Sequence, residues 1–126
     1  MSLLLDTHVL LWCGYRPEVL AAPVRARIAD SSVRVYASAA SAWEIAIKRR
    51  LGKLTLDIAA EDLLRALSIA PLPIGVAHAE AAGALPWDHR DPFDRMLVAQ
   101  ARAEGLTLVT ADQAILTAFL DCLAAR

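Results

Sequence analysis

Three short segments of the chain are close to continuously apolar, and they restrict its fold more than any other feature. Residues 3–5 are Leu-Leu-Leu and end at Asp6. Residues 33–37, rich in β-branched side chains, lie between serines, and residues 106–109 follow Gly105 and lead into Thr110-Ala111-Asp112. Runs this short, bounded by turn-forming residues, read as buried strands. Residues 71–74 supply a short fourth. Between them, apolar residues recur at spacings of three and four in residues 23–30, 40–51, 59–69, 76–84 and 92–104, which predicts five helices. Strands that alternate with helices and have no wet face imply a mainly parallel sheet covered on both sides. The expected architecture is a three-layer α/β/α sandwich.

No internal repeat, low-complexity tract or glycine-serine linker divides the 126 residues, so residues 1–126 are expected to form a single domain. Lys and Arg total 13 against 14 Asp and Glu. That balance excludes the overall basic field of a histone or repressor, and any nucleic-acid contact must be local. The apolar fraction is 57% and the mean hydropathy +0.43, high for a chain this small, which suggests apolar surface reserved for a partner. Asp6 and His8 interrupt the apolar opening and no basic leader precedes it, so a signal peptide is not expected. No apolar stretch approaches the roughly 18 residues that span a bilayer. Cys13 and Cys122 stand far apart without a Cys-x-x-Cys pattern and read as reduced thiols of a cytoplasmic protein.

In open parallel sheets, ligands bind beyond the carboxyl ends of the strands. Asp6 follows its strand directly and Asp112 lies three residues past Val109, so both are expected at that edge; each could also be a helix N-cap. Two further acids fall on helical stripes. Asp94 shares a face with Leu97, Val98 and Ala101, and Glu44 aligns with Ile47 and Leu51, which places both on core-facing surfaces. Burying ionised carboxylates costs several kcal/mol each unless a cation compensates, and no single basic residue stands in an obvious partner position. A divalent cation would serve all four acids. An oxygen-only set suits Mg²⁺ or Mn²⁺, whereas the His and Cys spacings of a zinc site are missing.

Other residues carry two readings. Asp91 before Pro92 matches an N-cap with proline at the first helical position. Thr7 and Thr110 neighbour candidate ligands and could orient them, Thr110 the more so. His8, His78 and His89 favour structural or solvent roles. Lys48, Arg49, Arg50 and Lys53 form either a solvated helix face or a contact for the phosphates of an incoming strand. Trp43 is expected in the core and Trp87, in a loop with two prolines, to be the most exposed tryptophan.

Four motifs in order give the chain a resemblance to the PIN-domain ribonucleases, and among them to the VapC-type toxins of bacterial type II toxin-antitoxin systems. They are Leu-Leu-Leu-Asp6-Thr7-His8, Ser-Ala-Trp43-Glu44-Ile-Ala-Ile-Lys48, Asp91-Pro-Phe-Asp94-Arg-Met-Leu-Val-Ala-Gln100-Ala and Leu-Val-Thr110-Ala-Asp112. The resemblance runs almost end to end, although the family often carries Asn where His8 stands. It implies that Asp6, Glu44, Asp94 and Asp112 bind the metal, with Thr110 close by. It further implies metal-assisted hydrolysis of RNA phosphodiester bonds, a cognate VapB-type antitoxin, a toxin homodimer and a toxin-antitoxin hetero-oligomer. Two other readings of the same residues are open. One is a non-catalytic binding module on this fold that acts through its partner. The other is a phosphoryl-transfer receiver or phosphatase, which would want paired acids after the first strand, or a second Asp where His8 stands.

Overall fold

A computed structural model describes residues 1–126. Five strands form one sheet in the order β3-β2-β1-β4-β5, every neighbouring pair parallel: β1 Ser2–Leu5, β2 Arg34–Ser38, β3 Ala70–Leu72, β4 Thr107–Thr110 and β5 Leu123–Ala124. Helices α1 (Thr7–Tyr15), α2 (Ala22–Ala29), α3 (Ala39–Arg50), α4 (Ala60–Ala66), α5 (Val76–Ala84), α6 (Pro92–Glu104) and α7 (Gln113–Ala118) connect them, with one turn of 3-10 helix at Pro17–Val19. The side-chain period of two splits the leucine run. Leu3 and Leu5 join Val9, Val24, Ile45 and Leu63 on one face, whereas Leu4 joins Leu97, Val98, Leu108 and Ile115 on the other. The sheet is therefore covered on both sides, as an α/β/α sandwich requires. No helix is long and apolar enough to cross a membrane.

Helix α6 spans the predicted residues 92–104 because both of its ends are chemically specified. Asp91 accepts from the N–H groups of Phe93 and Asp94, Pro92 needs no donor at the first position, and Gly105 takes the left-handed conformation (φ 66°) that closes the helix. Asp91 is thus the cap. Helix α4 stops at Ala66, three residues short of the predicted end. Ser68 turns left-handed (φ 56°) and the Ile69 N–H reaches back to the Leu64 carbonyl, so Ile69 is buried at the entry to β3 and not on the helix. Helix α1 lies outside the five predicted helices, since its residues Val9 to Cys13 are apolar without interruption and leave no amphipathic period. Two-residue β5 and six-residue α7 are too short to leave a pattern.

Helix α3 departs from expectation in phase. Its buried residues are Ala40, Ser41 and Ile45, whereas Ile47 and Leu51 are 36% and 61% exposed. Glu44 consequently lies between the Ser41 and Lys48 rows, and the apolar stripe read through Ile47 and Leu51 faces outward. Trp43 shares that outer stripe and is 61% exposed, contrary to its predicted core position. It meets Phe93 edge-on at 5.2 Å. Trp87, expected to be the most exposed tryptophan, is half-buried against Phe119.

Gln100 ties α6 to the sheet. Fully buried, it accepts from the Ser38 hydroxyl at 2.5 Å and donates to the Pro73 carbonyl at 3.2 Å. A Gln100→Leu substitution keeps much of the volume but strands both partners, each at about 1–3 kcal/mol. Denaturant unfolding is expected to show a loss of about 2–4 kcal/mol. A loss below about 0.5 kcal/mol would mean that water or a neighbour replaces the amide. Both cysteines are free, and burial pushes each thiol up to about 11, which makes them unreactive at neutral pH.

Candidate active site

The chain runs outward from β1 to β2 and β3, then returns to place β4 on the other side of β1. The switch point between β1 and β4 opens a crevice at their carboxyl ends. Asp6 is the only residue between β1 and α1, and its backbone N–H donates to the Val109 carbonyl of β4 at 3.0 Å. One carboxylate oxygen accepts from the Val9 N–H at 2.8 Å, which caps α1, and the other accepts from the Thr110 hydroxyl. Thr110 Oγ in turn accepts from the Asp112 N–H at 3.0 Å, and Asp112 caps α7 through the Ala114 N–H at 2.8 Å. Asp6 and Asp112 are therefore caps and also members of one cluster. With His8, Trp12, Ala111 and Arg126 they line a cavity of about 230 Å³.

Glu44 arrives from α3. Its carboxylate accepts from the Thr7 hydroxyl at 2.6 Å and pairs with Lys48 at 3.1 Å. Lys48, one turn on, is thus a basic partner, contrary to the reading that none stood in position; the four-residue spacing on one helix was the signal for it. Thr7 has a single proton, given to Glu44, so Ser41 Oγ at 3.0 Å donates to Thr7. Arg49 is also engaged, donating to the Ile58 carbonyl at 2.7 Å, while Arg50 and Lys53 are exposed.

Asp94 stands in the first turn of α6, with Leu97, Val98 and Ala101 of its stripe buried as predicted. His89 Nε2 lies 2.7 Å from one carboxylate oxygen. His89, Asp91 and Asp94 are the only group of three potential ligands whose atoms come within 4.8 Å of one another, so no three of the four predicted acids approach that closely. The sequence favoured a structural or solvent role for His89. Its five-residue separation from Asp94 spans a loop and the helix start, where no period operates, so nothing local announced the contact.

The electrostatics show what the crevice lacks. Burial pushes the Asp94 carboxyl up to about 6, against the lowering bond from His89, and the charges of Asp91 and Asp112 raise it further. Asp6 is also raised, chiefly by burial, despite the bonds from Thr110 and Val9, and Asp112 adds to the rise. Neither Lys nor Arg forms an ion pair with Asp6, Asp94 or Asp112. Desolvated oxygen donors that repel one another are suited to a hard divalent cation, and these residues fit one.

A parallel 3-2-1-4-5 sheet with Asp6 and Asp112 at the carboxyl ends of β1 and β4 defines an α/β protein whose acidic residues face the switch point of the sheet. The chain belongs to the PIN domain family, whose model matches residues 3–118. Solved structures share the fold at low identity. A chain of VapBC2 from Rickettsia felis, bound to a DNA fragment from its promoter, superposes with a TM-score of 0.68 at 14% identity, over 98% of this chain and 96% of that one. A chain of a toxin-antitoxin complex from Klebsiella pneumoniae gives 0.64 at 16% identity over 98% and 97%, and one of VapBC-1 from nontypeable Haemophilus influenzae gives 0.63 at 18% over 98% and 96%. No curated protein matches the chain.

Proposed function

We propose that this protein is the toxin of a toxin-antitoxin pair and acts as a Mg²⁺- or Mn²⁺-dependent endoribonuclease that hydrolyses RNA phosphodiester bonds. The observation that carries the reading is that Asp6 and Asp94 are both desolvated and both lie near enough to Asp112 for its charge to raise them, with none of the three ion-paired to Lys or Arg. Membership of the PIN family and the likeness to chains of toxin-antitoxin complexes support it.

Asp6 and Asp94 would be the central metal ligands, with Asp112 and Glu44 completing or orienting the set. When bound, the cation supplies Lewis acidity toward phosphate and water. The chain's own contribution is alignment. Thr110 and the α1 N-terminus hold both oxygens of Asp6, His89 holds Asp94, and Thr7 with Lys48 holds Glu44. Such supporting contacts typically contribute about 10–100-fold to metal affinity or activity. Arg50 and Lys53, exposed at the end of α3, are free to take strand phosphates, a contact that positions RNA without reading its sequence. Lys48 and Arg49 of the same run are already engaged within the molecule. The exposed stripe of Trp43, Ile47 and Leu51 beside Glu44 supports a protein partner there, either the antitoxin or a second toxin chain.

Purified antitoxin-free protein is expected to cut total cellular RNA into discrete fragments with Mg²⁺ or Mn²⁺. EDTA or an Asp6→Asn substitution is expected to abolish the cleavage. A folded parent chain that cuts no RNA with either metal would overturn the nuclease and leave a binding module on the same fold.

A further inference from the structure

Residues 85–91 join α5 to α6 without helix or strand, yet they carry His89 to Asp94. Their carbonyls converge on one side chain. Arg95 donates Nε–H to the Ala82 carbonyl (3.0 Å), Nη1 protons to Trp87 (2.6 Å) and His89 (3.0 Å), and Nη2 protons to Gly83 (3.3 Å) and Leu85 (2.8 Å). All five donors of the guanidinium are thereby spent on backbone carbonyls, and Arg95 has no carboxylate partner. Three of these carbonyls, of Leu85, Trp87 and His89, belong to the loop and two, of Ala82 and Gly83, to the last turn of α5, so the part-buried cation ties the loop to the end of the preceding helix. On that loop the Trp87 ring stacks against the His89 imidazole (4.5 Å, 23°), and Phe119 braces Trp87 edge-on (4.9 Å, 86°). The imidazole is confined between this shelf and Asp94.

We propose that Arg95 is a positioning residue of the acidic centre: by clamping the α5–α6 loop it holds His89 as the hydrogen-bond donor that fixes the Asp94 carboxylate. Only the last step, service to a metal, rests on the functional reading above. Lysine could not replace Arg95, because an ammonium has three donors on a point charge and no planar fork.

The clamp is testable without metal. In the parent chain the Nε–H and Nη–H protons of Arg95 are expected to give separate, slowly exchanging NMR resonances. Averaged, fast-exchanging ones overturn the clamp whether or not any variant folds. In Arg95→Lys, exchange of the Trp87 amide, which donates to the Leu85 carbonyl at 2.8 Å, is expected to accelerate at least about tenfold, and the downfield His89 Nε2–H resonance to disappear, while exchange in β1 and β4 is unchanged. Trp87 exchange and a His89 signal like the parent's would overturn it too. Mn²⁺ binding followed by electron paramagnetic resonance then tests the coupling. Arg95→Lys and His89→Gln are each expected to weaken it about tenfold, and the double variant no further, since both act through one bond. Additive losses would overturn the link to Asp94. A parent chain that takes no Mn²⁺ removes the functional reading and the metal link together, while the proton signals still decide the clamp.

Discussion

An Asp94→Asn variant is expected to lose metal-dependent RNA cleavage by at least about 1000-fold while its metal-free fold becomes more stable. The first effect follows from removing a charged ligand, since a contribution of several kcal/mol to the transition state is worth about tenfold per 1.4 kcal/mol. The second follows from the same burial that makes the residue useful. A carboxyl moved from 3.8 to about 6 costs the folded state up to about 3 kcal/mol once it is ionised, and an amide of the same shape avoids that cost. Part of the gain is offset because the amide accepts a weaker bond from His89 than a carboxylate does. A gain of about 1–2 kcal/mol in urea unfolding without metal is the expected result. An active variant would remove Asp94 from the centre. An inactive and destabilised one would mean that the residue supports the fold more than the chemistry.

Stability and metal binding should also depend on pH in opposite senses. The raised folded-state pKa of Asp94 favours the protonated form, so its stabilising effect is complete below about 3.8 and is lost as pH rises through about 6. The stability difference between Asp94→Asn and the parent chain is therefore expected to be near zero at about pH 4 and to grow to its full value by about pH 7. Cation binding requires the ionised carboxylate, so Mg²⁺ is expected to stabilise the parent chain above about pH 6 and progressively less below it. At 100 times its dissociation constant the ion contributes about 3 kcal/mol at about pH 7.5. Affinity falls about tenfold per pH unit below about 6 for each proton that must leave. Asp6, raised in the same direction, makes the fall steeper than one proton alone would. Thermal unfolding with and without Mg²⁺ from about pH 4 to 8 measures both effects. A Mg²⁺ stabilisation independent of pH would show that neither Asp6 nor Asp94 binds the ion.

Much of the fold was legible because its signals are local. The leucine run of β1 ends at an acid, and α6 is bracketed by Asp91-Pro92 and Gly105. Asp6 and Asp112 could be placed at one edge of the sheet because each comes at most three residues after a strand, too close to turn elsewhere. Asp94 followed from the phase of α6, where Leu97, Val98 and Ala101 at offsets of three, four and seven are all buried. Glu44 did not follow in that way. Its expected neighbours Ile47 and Leu51 lie outside the core, and it reaches Thr7 because the Ser41 side of α3 packs toward α1. Trp43 misled for the same reason, since apolar character on α3 marks an open face as well as a buried one.

By itself, then, the sequence determined four of the five strands and five of the seven α-helices, that the sheet is parallel and covered, and that Asp6 and Asp112 follow strands at its carboxyl edge. These depend on propensity, capping and period, which act within a few residues. Only the tertiary structure decided that Thr110 holds Asp6, that Thr7 joins α1 to Glu44, and that Arg95 gathers five carbonyls around the loop bearing His89. Each of these contacts depends on how whole elements pack, and each joins polar groups that folding removes from water together. Their pairing is set by the summed packing of the core, and no period in the chain encodes it.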